Sequence, residues 1–295
     1  MVYNTYPRGY ALYTNRCAAF ESAQTSTEMK NKISTYIIVT YGITWLIAYI
    51  IVTMYKSGML SYYELNFYHS FAAIGPTVGA VVATTLFYGK EGVVKLIAKI
   101  KIPKLKKTTA LIVCSPILFF LIGFIIYPII KSEIYSFGDF ADLNWKTGMA
   151  LIVWFLPLLT YSIFEEIGWR GFLLPHLQEK YSAFKSTVIL SVIWALWHVP
   201  FFFYRFDFSI GISIGFFFGI FVGAIILTSI YNSSRGFLIP AMLFHFLNNF
   251  CSGFDKEIIV AVLSTGFVFI AIFIYKKYGK ENLSRLSRVP NYLRK

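Results

Sequence analysis

Runs of roughly 20 mostly apolar residues recur along this chain, at 34–55, 68–88, 109–130, 147–164, 186–204, 209–231, 236–252 and 257–275, two of them (147–164 and 236–252) short. A helix needs about 20 such residues to cross a bilayer. Hydrocarbon also forces every backbone N–H and C=O to find a partner within the protein, which only helices and closed barrels achieve. No ten-residue alternating pattern recurs, so the chain is expected to be all-α, a polytopic membrane protein with about eight transmembrane helices. Composition points the same way. Of 295 residues 57% are apolar and 14% charged, outside the usual mixture of a soluble domain.

The net charge of +13 would suggest nucleic acid in a soluble chain. Here the positive residues cluster beside the apolar runs, a pattern suited to anionic lipids at the basic loops, and no nucleic acid partner is expected. Of the 27 Lys and Arg, 22 fall in the two terminal segments and in loops two, four and six. The positive-inside rule therefore places both termini in the cytoplasm, on a multi-pass protein of the cell membrane. Segment 90–107, KEGVVKLIAKIKIPKLKK, is expected to lie along that interface with its lysines snorkelling. Residues 1–28 have no run that could serve as a signal h-region and read as a disordered or expendable extension before Met29. Residues 29–275 then form a single transmembrane domain, and 276–295 a basic cytoplasmic tail. Cys17, Cys114 and Cys251 are scattered without metal or disulfide spacing.

Against this background FEEIGWRGFLLP, Phe164 to Pro175, stands out, because two carboxylates and an arginine follow WFLPLLTYSI, ten residues without a charge. Ionisable groups inside spans cost a few kcal/mol each and mark function by default. The others are His69, His198 and His245, with Asn248 and Asn249 as neutral polar companions. Under the topology above, Glu165 and Glu166 lie near the cytoplasmic end of span four, with Glu165 roughly 8 Å deeper than Arg170. His198 falls roughly 18 Å, and His245 roughly 14 Å, into their own spans. Three helices thus bring polar groups to similar depths. Glu166 and Arg170 are i,i+4 and can pair, whereas Glu165 points about 100° away and is left free for another task. His245 and Asn249 share one helical face, and Pro200 can open the helix beside His198. His69 and His176 are read as structural, His176 in a cytoplasmic loop.

EEIGWR fits an EExxxR motif, WALWH an FxxxH motif with Trp194 in place of Phe, and HFLNN an HxxxN motif through His245 and Asn249. In this order, on three apolar segments, they resemble the CPBP family of CAAX prenyl endopeptidases and bacteriocin-processing or self-immunity intramembrane proteases. GFLLP and HVP, at Gly171–Pro175 and His198–Pro200, extend the likeness, which covers about 109–252. The resemblance implies an eight-helix fold and an intramembrane endopeptidase. It also implies roles: Glu165 as general base with His198 on the attacking water, Glu166 held by Arg170, and His245 with Asn249 stabilising the oxyanion. The Trp194 departure is expected to bear on pocket shape rather than chemistry.

Amide hydrolysis needs an activated water and donors for a tetrahedral oxyanion, and this residue set can supply both. Two histidines and a glutamate are also a plausible zinc set, although the HExxH and HxxEH spacings are absent. No cofactor is favoured, and zinc stays open. The expected partner is a membrane-associated peptide or protein substrate, either a prenylated protein or, on a composition that suits a bacterial chain, a bacteriocin or pheromone peptide. A non-catalytic scaffold or immunity protein and a proton-coupled transporter are the other classes.

Overall fold

The computed structural model describes residues 8–133, 148–204, 209–254 and 257–293. Expectations for the first seven residues, for the start of the fourth span at 147 and for the last two residues of the tail lie outside them. Among the described residues there are ten α-helices and no strand. In chain order these are α1 (Arg8–Lys56), α2 (Tyr62–Ala72), α3 (Ile74–Ile97), α4 (Lys107–Lys131), α5 (Gly148–Gly168), α6 (Leu174–Lys180), α7 (Ala183–Trp197), α8 (Ile210–Ser233), α9 (Ile239–Ser252) and α10 (Ile258–Asn282). A π-helical turn, Trp169–Leu173, joins α5 to α6, and a 3-10 turn, Val199–Phe203, follows α7.

Seven helical segments are long and apolar enough to cross a membrane. Their outward faces carry Ile38, Leu46, Leu111, Ile125, Ile129, Ile152 and Phe269, all exposed, as expected where lipid replaces water. The seventh apolar run of the sequence is the exception. It becomes α9, only 14 residues long, or roughly 21 Å against a hydrocarbon core of about 30 Å. Gly236 in a left-handed turn and Pro240 in the first helical turn fix its start, and its Ala241, Met242, Phe244 and His245 are buried.

The helix ends follow local rules. Ser61 and Glu64 form a reciprocal capping box at the start of α2. The second apolar run of the sequence stops at Tyr88, and there Gly89 (φ 64°) breaks α3, leaving Lys90–Ile97 as a separate short helix. α7 ends at Trp197, three residues before Pro200 removes a backbone donor. The N-terminal extension, read as disordered or expendable, is helical from Arg8 as the first part of α1, which runs to Lys56.

α5 packs against α2, α3 and α9, and its approach to α3 is close enough to dictate sequence. A Cβ on Gly168 would sit 2.5–2.7 Å from the side chain and carbonyl of Pro76, so only glycine fits at that crossing. The Thr77 hydroxyl donates to the Phe164 carbonyl at 2.7 Å across the same contact, holding the residue before the two glutamates against α3.

The C-terminal segment is no free tail. After α10 ends, residues 283–293 fold back over the ends of α6, α8 and α3, with Leu283 and Leu293 buried. The Tyr292 hydroxyl donates to the Gly171 carbonyl at 2.7 Å, inside the π turn. His176, expected in a loop, is instead fully buried on α6. It bonds to the Phe172 carbonyl and to the Tyr88 hydroxyl.

Candidate active site

The end of α5 and the π turn place Glu165, Glu166, Trp169 and Arg170 within six residues, each at most 1% exposed. Burying two carboxylates side by side is costly unless each is given donors, and each receives its own. Arg170 Nη1 donates to Glu166 Oε1 at 2.9 Å, the i,i+4 pair expected from the sequence. His245 on α9 meets the same oxygen through Nδ1, also at 2.9 Å. Glu166 therefore ties two distant segments of chain together around one guanidinium.

Glu165, expected to be free, is not. Trp169 Nε1 donates to Glu165 Oε2 at 3.0 Å, and the Trp194 indole N–H of α7 donates to the same atom. Trp169 stands four residues after Glu165 as Arg170 stands four after Glu166, so EEIGWR holds two interleaved i,i+4 pairs. That spacing is the signal in the sequence for Trp169, a residue outside the EExxxR pattern and not singled out by it. Trp194, expected to bear on pocket shape, touches the carboxylate directly.

Trp194 reaches further still. The Arg170 guanidinium lies 4.6 Å from its ring, within cation–π range, and the His245 ring meets it edge-on at 5.9 Å. Its backbone carbonyl accepts from His198 Nδ1 at 2.8 Å. Because a carbonyl only accepts, Nδ1 carries the proton, and in the neutral ring Nε2 is left as an acceptor. His198 is 8% exposed at the end of α7, with Trp197 edge-on at 4.7 Å and Phe216 of α8 at 5.1 Å.

The residues singled out by sequence thus assemble unevenly. Glu165, Glu166, Arg170 and His245 form one contiguous cluster, and His198 joins it through Trp194. Asn249 shares the His245 face of α9, but its described bonds are local. Its side-chain oxygen accepts from Asn248 at 3.4 Å and its carbonyl from the Ser252 hydroxyl at 3.2 Å. His69 bonds to the Tyr204 hydroxyl at 2.7 Å and stacks on Tyr161, and its ring meets Phe201, which in turn meets His198. Among the described residues no group of three or more His, Cys, Asp or Glu side chains is placed to hold a metal ion.

Residues 147–251 match the family model described as type II CAAX prenyl endopeptidase Rce1-like. That stretch contains all three motifs. CAAX prenyl protease 2 of Methanococcus maripaludis is 29% identical over 181 residues, covering 55% of this chain and 65% of that relative. The alignment thus spans a little under two thirds of the relative's own length. Both comparisons bear out the resemblance carried by EEIGWR, WALWH and HFLNN.

Proposed function

We propose that this chain is an intramembrane endopeptidase of the CAAX prenyl type, hydrolysing a peptide bond near the C-terminus of a membrane-associated, prenylated protein or peptide. The observation that carries the reading is the unequal treatment of two adjacent buried glutamates. Glu166 is neutralised by Arg170 and bridged to His245, whereas Glu165 is oriented by two neutral indoles through one oxygen only. A carboxylate with no arginine bonded to it and one oxygen left out of its hydrogen bonds can take a proton from water, which is what a general base does.

In this mechanism Glu165 Oε1 and the free His198 Nε2 share the attacking water. His198 Nδ1, fixed on the Trp194 carbonyl, sets the tautomer that accepts. The tetrahedral oxyanion is met by the Asn249 amide, whose oxygen accepts from Asn248 and whose N–H groups are the donors. His245 also contributes, on one condition. Its Nδ1 proton is committed to Glu166, so it donates from Nε2 only as an imidazolium. The prenyl chain of the substrate lies in lipid, and anionic headgroups contact the basic loops, with both chain ends in the cytoplasm. Water activation is assigned to the glutamate and not to a metal.

The test is cleavage of a farnesylated peptide ending in a CAAX sequence by purified protein and by Glu165→Gln. The substitution keeps shape and removes the base. Loss of about 10²–10⁴ in kcat is expected with unchanged thermal unfolding, and a fully active variant sinks the assignment. Prolonged 1,10-phenanthroline with elemental analysis is expected to leave activity intact and to find well under one zinc per chain. Stoichiometric zinc with zinc-reversible inactivation would reassign His198 and His245 as ligands.

A further inference from the structure

We infer that Trp194 is a positioning residue for both water-activating groups, fixing Glu165 through its indole N–H and His198 through its backbone carbonyl. The inference rests on the reading of Glu165 as general base, and it goes beyond that reading in giving a role to a residue at which the chain departs from the FxxxH pattern. A phenylalanine at 194 could fill space beside Arg170 and His245 but could not donate to a carboxylate.

The geometry separates this from ordinary packing. A buried carboxylate with one donor can still swing about its side-chain torsions. Two donors converging on Oε2 from different helices, Trp169 from the π turn and Trp194 from α7, fix the plane of the group and commit Oε1 to the reaction. The Trp194 carbonyl then selects the His198 tautomer four residues along. One residue therefore couples the rotation of the base to the register of the helix end that carries the histidine. The Arg170 guanidinium over the same ring adds a reason for the indole's orientation to be unique.

The bland alternative is that Trp194 supplies only volume, its N–H being satisfied by whichever acceptor is near. Replacing Trp194 with 3-benzothienylalanine, which has the tryptophan shape without the N–H, distinguishes the two. Trp194→Phe serves as the genetically simple companion. With the farnesylated CAAX peptide as substrate, both variants are expected to lower kcat about 10- to 100-fold, the range for one hydrogen bond to a charged group. KM should stay within about twofold, because ground-state binding does not use this bond. The benzothienyl variant should stay folded, unfolding only somewhat below the wild-type temperature because one buried hydrogen bond is lost. Wild-type kcat in that variant, while Glu165→Gln is dead, overturns the positioning role and leaves the proposed function standing. An active Glu165→Gln, or a wild type that cleaves no prenylated peptide, removes the proposed function and this inference with it.

Discussion

Two buried polar groups in this molecule are built on opposite principles. One is the cluster at the end of α5. The other joins α6, α8 and the folded-back C-terminal segment around Gln178 and Asn232. In the second, the two side-chain amides pair reciprocally at 3.0 and 2.8 Å. Gln178 also donates to the Val289 carbonyl, and Asn232 donates to the Asn282 carbonyl and accepts from the Val289 N–H. All four amide hydrogens are used, and the group is neutral. In the first, the members are charged, Glu166 Oε1 serves two donors, and Glu166 Oε2, Arg170 Nε and Arg170 Nη2 are buried with no hydrogen-bond partner.

A neutral, closed network suits a fastener, since its partners satisfy one another and gain nothing from a further group. A charged, incompletely satisfied network is expensive to keep and is retained where chemistry uses it. The contrast supports a structural reading of the Gln178–Asn232 group and the proposed catalytic reading of the Glu165–Glu166 group.

Arg170→Ala strikes the comparison hardest. It leaves Glu166 as a buried charge with His245 as its remaining partner, at a cost of about 3–5 kcal/mol. The expected result is a sharp fall in folded protein on detergent-based thermal unfolding together with loss of cleavage. A well-folded, inactive protein would instead give the guanidinium a direct part in the reaction. Asn232→Leu, of similar size, should strike stability but not the reaction. Each group left without a partner loses about 1–3 kcal/mol, and water reaching the partly exposed 285–290 stretch recovers part of that. Stability should drop while kcat of the remaining folded protein is unchanged. A selective loss of kcat would mean that the C-terminal segment, through Tyr292 on the Gly171 carbonyl, sets the geometry of the π turn.

The smallest effect is expected outside both regions. Starting translation at Met29, which removes residues 2–28, deletes the Glu28 partner of Lys32. Glu28 is about half exposed whereas Lys32 is buried, but Lys32 keeps the Tyr88 ring 4.5 Å away as a second partner, so the loss should stay at about 1 kcal/mol. Membrane insertion and cleavage should be unchanged, as followed by protease protection and peptide turnover. Loss of either would make the N-terminal half of α1 part of the working protein.

The apolar runs determined the helical class and most of the spans, because in lipid a chain without the alternating pattern of a barrel satisfies its backbone only as helix. The i,i+4 spacing determined the Glu166–Arg170 pair, since both partners lie on one helix and need nothing from the rest of the fold. EEIGWR, WALWH and HFLNN together pointed to three helices sharing one site. What no local pattern contained were the contacts between elements. That Glu166 also receives His245, and that Trp194 donates to Glu165, required α5, α7 and α9 to meet at one height and one rotation, which Gly168 against Pro76 helps to set. The C-terminal segment is the plainest case. Its basic composition reads as solvated tail, and only the tertiary structure places Val289 and Tyr292 on α6, α8 and the π turn, because hydrogen bonds to backbone carbonyls leave no trace in the sequence of the chain that accepts them.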